Sequence, residues 1–272
     1  MSGAQGHSDQ GGIDDSILVV ATGARLCQCL GSSGLGFRAL VDFAGQSKEN
    51  IILVLGCRTP TNPAVSNTFN NIPRIKKLDI VSLDLVNLDS TRAFASHILQ
   101  SYPKQISVLL LCGGSTLHKG AAQTYRPSPS TIEDILASTP WKPKEAYALS
   151  KLVQMHIFQI TVDRFAKVTG AKKQPVVVAV CPGFVPQTGL IREYSWWIRF
   201  LMNYIMPMMP FTTSLETAGE TIMRAMQDQN LTSGDYITPR GSDSLASECM
   251  DLTLRSEWRD WLVSKGVWVE EE

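Results

Sequence analysis

The segment Tyr147-Ala148-Leu149-Ser150-Lys151 sets a phenol and an ammonium four residues apart. On a helix, positions i and i+4 share one face, so the two groups project the same way. The lysine cation favours phenolate and draws the phenol below its ordinary pKa of ~10, which makes it a usable acid or base near neutral pH. Solvated helix faces carry the same spacing without function, so the pair gains meaning only in company. Ser32-Ser33-Gly34-Leu35-Gly36 opens an apolar helical pattern, and Thr22-Gly23-Ala24 stands just upstream at the end of an apolar run. Glycines at a helix start let backbone amides cradle a diphosphate. Asp84, Gly113-Gly114 and Pro182-Gly183-Phe184-Val185 each follow a further apolar run.

The elements that must position these residues are legible as an alternation. Short β-branched runs at 17–21, 51–55, 80–83, 106–111 and 176–180 alternate with helical patterns at about 34–46, 90–101, 144–168 and 214–228. That alternation predicts an α/β fold with a doubly wound, mostly parallel, Rossmann-like sheet. The runs are apolar on both faces, as a sheet covered by helices on both sides requires. The candidate residues then cluster on the carboxyl edge, where such sheets bind ligands. Residues 1–16 read as a disordered leader and 17–265 as a single domain. Residues 59–76, rich in Pro, Asn and Ser, hold no convincing long helix, and 113–143 hold no strand pattern.

Composition narrows the function classes. The chain has 272 residues, 44% hydrophobic and 18% charged, enough to bury a sizeable core. Lys plus Arg balance Asp plus Glu at 25 each, so no long-range field favours nucleic acid. Of the six cysteines, Cys57, Cys112 and Cys181 end apolar runs where a small thiol packs without a bridge. Cys27 and Cys29 are too close for a redox pair and have no nearby His to complete a zinc set, so no metal is expected. The polar, Gly-rich start is unlike a signal peptide, and no apolar run reaches the ~18 residues of a membrane span. The expected location is the cytosol.

These motifs together resemble the short-chain dehydrogenase/reductases, over about residues 17–265. The stretch from Pro182 through Thr188 and Gly189 to Glu193, with Ser233-Gly234-Asp235-Tyr236, is similar to their retinol-dehydrogenase and protochlorophyllide-reductase-like branch. The resemblance implies NAD(P)-dependent reduction of a carbonyl or activated double bond, or the reverse oxidation. It makes Tyr147 the proton donor, and Lys151 both the group that lowers the Tyr147 pKa and a partner of the nicotinamide ribose. Gly23, Gly34, Leu35 and Gly36 belong to the diphosphate loop, Asp84 meets the adenine, and Val185 and Thr188 line the nicotinamide end. The second strand ends in Gly56-Cys57-Arg58, with no acid to accept from a ribose 2′-hydroxyl, so Arg58 points to NADP(H).

The chain departs from that pattern in three places. The seven residues Arg25 to Gly31 split the glycine loop, unless Gly31 supplies its first glycine with Leu30 behind it. Cys112-Gly113-Gly114 replaces Asn-Ala-Gly, which removes an amide. Between Gly114 and Tyr147 the family's helix and strand, with its catalytic Ser, have no visible counterpart. Ser128, Ser130 and Ser138 lie there, but none follows an apolar strand. The fold is therefore expected to lack one central strand and helix. The 176–180 strand is then expected to pair directly with the 106–111 strand, since unpaired buried amides cost ~1–3 kcal/mol each.

Residues 194–211 (Tyr194-Ser195-Trp196-Trp197-Ile198 onward to Phe211) suggest a lid over a bulky apolar substrate; core packing and membrane-surface contact are the other readings. His156, Trp258, Trp261 and Trp268 read as packing residues. The expectation is an NADPH-dependent oxidoreductase acting on a hydrophobic carbonyl or alcohol, as in secondary metabolism, with a homodimer as default. The alternative is a degenerate relative that binds a ligand or partner without catalysis.

Overall fold

Strands form where β-branched residues run together, and their order follows from short right-handed connections. In the computed structural model, residues 15–22, 34–61, 63–103, 105–112, 143–168, 174–186 and 196–268 are described. The chain divides into two compact units, Met1–Gly114 and Ser115–Glu272.

The first unit is a four-stranded parallel sheet. Its strands are β1 (Ile17–Thr22), β2 (Ile51–Cys57), β3 (Ile75–Ser82) and β4 (Val108–Leu111), in the order β3-β2-β1-β4. Val20 pairs with Val54 on one side and Leu109 on the other. The connecting helices are α1 (Leu35–Gln46), α2 (Pro63–Asn70) and α3 (Leu88–Ser101). The strand order runs outward to β3 and then returns past β1. Right-handed crossovers therefore put α1 and α2 on one face and α3 on the other. The packing agrees with this: Leu18, Val20, Ile52 and Val54 share a cluster with Phe94 and Ile98 of α3. Val19, Ala21, Leu53 and Leu55 have the opposite parity, face the other way and are equally buried. This is the Rossmann-like α/β sheet the alternation predicts.

Helix α2 sits inside the Pro-, Asn- and Ser-rich stretch. It is short, starts on a proline, and anchors through Val65 and Phe69, the latter edge-on to Phe37 of α1 with ring centroids 5.1 Å apart. Strand β3 begins earlier than its apolar pattern, because Lys76 and Lys77 occupy an edge strand that tolerates charge. Asp79 of β3 ties α3 down, accepting from His97 Nε2 at 2.9 Å and from the Tyr102 hydroxyl at 2.8 Å. Burial alone would raise the Asp79 carboxyl, but those hydrogen bonds and Lys77 hold it below the usual carboxylate range. Burial and Asp79 together push the Tyr102 phenol up.

The second unit is built around α4 (Pro143–Ala166), α5 (Trp196–Phe200), α6 (Leu215–Gln227) and α7 (Leu252–Ser264). Its sheet runs β5 (Ala179–Val180), β6 (Tyr236–Thr238) and β7 (Gly241–Asp243), in that order. Helices α4 and α7 pack through Leu149, Val153, Leu254, Trp258 and Trp261. Trp258 is buried against Trp261, and the Arg164 guanidinium lies 5.1 Å from the centre of the Trp268 ring, so these tryptophans pack as expected.

The expected direct pairing of 176–180 with 106–111 is not among the ladders of the described residues. Strand β5 shrinks to two residues, and its ladder partner is β6. Val177 donates its N–H to Ser233 Oγ and accepts from Gly234 N–H, so its backbone is committed to the 233–235 turn. Pro175 lacks a donor, and the ladder begins only at Ala179. Among the described residues, β4 has β1 as its one ladder neighbour.

Candidate functional site

In the first unit, the sheet's direction of travel reverses between β1 and β4. Such a reversal opens a crevice at the carboxyl ends of the strands, where dinucleotides bind. Cys112 N–H donates to the Thr22 carbonyl at 2.9 Å across that edge. Helix α1 enters the same edge, because it follows β1. Gly34 caps it in an extended conformation with no side-chain hydrogen bond, and the first turn holds no acid. Among the described residues no side chain accepts from the amides of Gly34, Leu35 and Gly36, and the helix dipole favours negative charge there. Gly36 is buried. This end fits the oxygens of a diphosphate.

Arg58 and Asp84 stand at the ends of β2 and β3, which are parallel neighbours. Arg58 Nε lies 3.7 Å from Asp84 Oδ1, and both side chains are largely open to solvent. Asp84 Oδ1 also accepts the Val86 N–H at 3.1 Å, while the Asp84 N–H donates to Ser90 Oγ at 3.0 Å. Sequence reasoning gives these two residues separate duties; their pairing is new.

In the second unit, Tyr147 and Lys151 both lie on α4, one turn apart. The helix is fixed by a buried stripe that includes Ala148, Leu152 and His156. Lys151 Nζ donates to Gln154 Oε1 at 2.8 Å, a partner that an i,i+3 search would have found. The Tyr147 side chain, Gly23, Thr188, Gly113, Gly114, Ser128, Ser130 and Ser138 lie outside the described residues.

After β5 the Pro-Gly turn needs its glycine. Gly183 has φ +80°, and a Cβ there would run into Thr213 Oγ1. Phe184 accepts the Thr213 N–H at 2.7 Å and stacks on Phe211. Val185 is buried. The turn is thereby tied to the end of the aromatic segment. That segment runs as α5, a π-helical turn Leu201–Ile205 and a 3-10 turn Met206–Met208. Trp197, Phe200, Leu201 and Ile205 line an open apolar concavity of about 300 Å³. Trp196 and Trp197 stack at 4.0 Å, and both are 63% exposed, so the core reading of this segment is wrong.

Solved structures with a related fold include NADPH-bound carbonyl reductase from chicken fatty liver (14% identity, 85% of this chain and 94% of that chain, TM-score 0.54). They also include L-sorbose reductase from Gluconobacter frateurii complexed with NADPH and L-sorbose (13% identity, 82% and 95% covered, TM-score 0.53). A third is a short chain dehydrogenase from Salmonella enterica serovar Typhi (14% identity, 86% and 100% covered, TM-score 0.52). The fold is that of the short-chain reductases. At these identities the likeness is one of fold. No family model and no curated protein matches the chain. Among the described residues, no helix is long and apolar enough to cross a membrane.

Proposed function

We propose that the protein is an NADP(H)-dependent short-chain oxidoreductase of the cytosol, acting on a carbonyl or alcohol of a bulky hydrophobic small molecule. The observation that carries it is the N-terminus of α1, capped by Gly34 with no acid in its first turn, at the carboxyl edge of a parallel sheet whose order reverses between β1 and β4. Two structures of the same fold contain NADPH, which supports that cofactor for this chain. The likeness of residues 182–193 and 233–236 favours the retinol-dehydrogenase-like branch, and the apolar concavity favours an apolar substrate.

NADPH, when bound, supplies the hydride. The amides at Gly34, Leu35 and Gly36 hold its diphosphate, and Arg58 meets the 2′-phosphate. Gly23, Asp84, Val185 and Thr188 complete the cofactor contacts that the family resemblance assigns. Tyr147 moves the proton to or from the substrate oxygen, and Lys151 keeps the phenol acidic enough to do so. The aromatic segment shields an apolar substrate from water. Secondary metabolism is the setting we favour, with a homodimer as the assembly.

A second reading, a relative that binds a ligand without turnover, is favoured by one observation. Strand β5 holds only two residues and pairs with β6, where the sequence pattern predicts a full strand over 176–180. Fluorescence titration with NADPH tests the first reading. Saturable micromolar binding is the expected result, and no binding at millimolar cofactor would leave the ligand-binding relative.

A further inference from the structure

We infer that Asp84 sets the cofactor preference by competing with the ribose 2′-phosphate for Arg58, an inference that rests on the NADP(H) reading above. The carboxylate already lies 3.7 Å from the guanidinium in the protein as it stands. Its Oδ1 is fixed there by the Val86 N–H, and the preceding turn is fixed by the bond from Asp84 N–H to Ser90 Oγ. The competing charge is therefore held by backbone geometry and does not depend on a free rotamer.

Two other arginines of this unit pair along their own helices: Arg38 Nε with Asp42 Oδ2 at 2.7 Å on α1, and Arg92 Nη1 with Asp89 Oδ1 at 3.3 Å on α3. A 2′-phosphate reaching Arg58 meets a cation whose field the carboxylate partly cancels, and it is repelled by the carboxylate itself. Both side chains are exposed, so the effect is moderate and falls with added salt. NADH carries no 2′-phosphate and escapes both penalties. Asp84 thereby narrows the gap between the two nucleotides without touching either nicotinamide.

The test is the ratio of the NADH and NADPH dissociation constants, measured by titration on the full chain. Any contact of Asp84 with the adenine is common to both nucleotides and cancels in that ratio. Asp84→Asn keeps the acceptor for Val86 N–H and removes the charge; Asp84→Ser does the same with a shorter side chain, should the first variant fold poorly. Either should raise the preference for NADPH about three- to tenfold at low salt, and the gain should shrink in 0.5 M salt, as expected for an exposed pair. Arg58→Gln should erase the preference for NADPH. A ratio unchanged within about twofold in the Asp84 variants overturns the inference while leaving the cofactor reading standing; a ratio unmoved in Arg58→Gln overturns it together with the role of Arg58 at the 2′-phosphate. Absence of binding by wild type to either nucleotide overturns both.

Discussion

Lys151 can act on Tyr147 only through charge and distance, and α4 places the two residues one turn apart. Gln154 holds the lysine head by a bond 2.8 Å long, which limits the positions the ammonium samples. A phenol with no such cation gives up its proton too weakly near neutral pH to serve as an acid or base. On the proposed reading the proton transfer belongs to one oxygen, while the diphosphate and 2′-phosphate contacts belong to amides and Arg58 of the first unit. Tyr147→Phe should lower turnover of an apolar ketone by about 100-fold or more, the usual share of general acid catalysis. Its NADPH dissociation constant should stay within about twofold. Steady-state rates and titration on one preparation check both, and unchanged turnover would remove Tyr147 from the mechanism.

At the scale of elements, the α4–α7 pair carries an unusual liability. His156 is fully buried on α4, and among the described residues neither ring nitrogen has a hydrogen-bond partner; Trp258 Nε1 and Arg255 Nε on α7 are in the same condition. Burial, with help from the Arg255 charge and against Asp251, lowers the His156 pKa to about 4. Below pH ~6.5 the unfolded chain takes up a proton that the folded chain refuses, so stability is intact above that pH. It then falls as pH drops toward 4, by on the order of 3 kcal/mol for this group. His156→Leu removes the titrating group and two orphaned polar atoms together. It should flatten this part of the acid slope in urea melts run from pH 7 to pH 4, with little change at pH 7; an equally steep slope would count against His156.

Local pattern reveals elements of this kind only when it is strong. Helix α2 escaped a pattern search because just Val65 and Phe69 anchor it. The β-branched run at 176–180 yields two strand residues because Val177 bonds to a turn more than fifty positions away. The one-turn spacing of Tyr147 and Lys151 was legible because helical spacing is local. The Arg58–Asp84 pair was not, since only the parallel register of β2 and β3 brings the two residues together. The signal for it was present all the same: each residue follows the end of an apolar run.

On the scale of the whole molecule, a formal net charge of zero at pH 7 leaves little long-range repulsion between copies. The aromatic segment adds the attraction. Trp196, Trp197, Phe200, Tyr204, Met208 and Phe211 are all exposed within sixteen positions. Exposed apolar area of that kind drives association when no charge opposes it. Trp197→Glu cuts into the concavity lined by Phe200, Leu201 and Ile205 and also moves the net charge off zero. It should raise the ammonium sulfate concentration needed to precipitate the protein at pH 7 and lower the scattering of concentrated samples. If the segment also covers the substrate, the same variant should raise KM for a bulky apolar ketone at least several-fold. Its NADPH affinity should not move, because the proposed diphosphate and 2′-phosphate contacts are at the start of α1 and just after β2. A precipitation midpoint identical to wild type would show that this surface does not govern self-association.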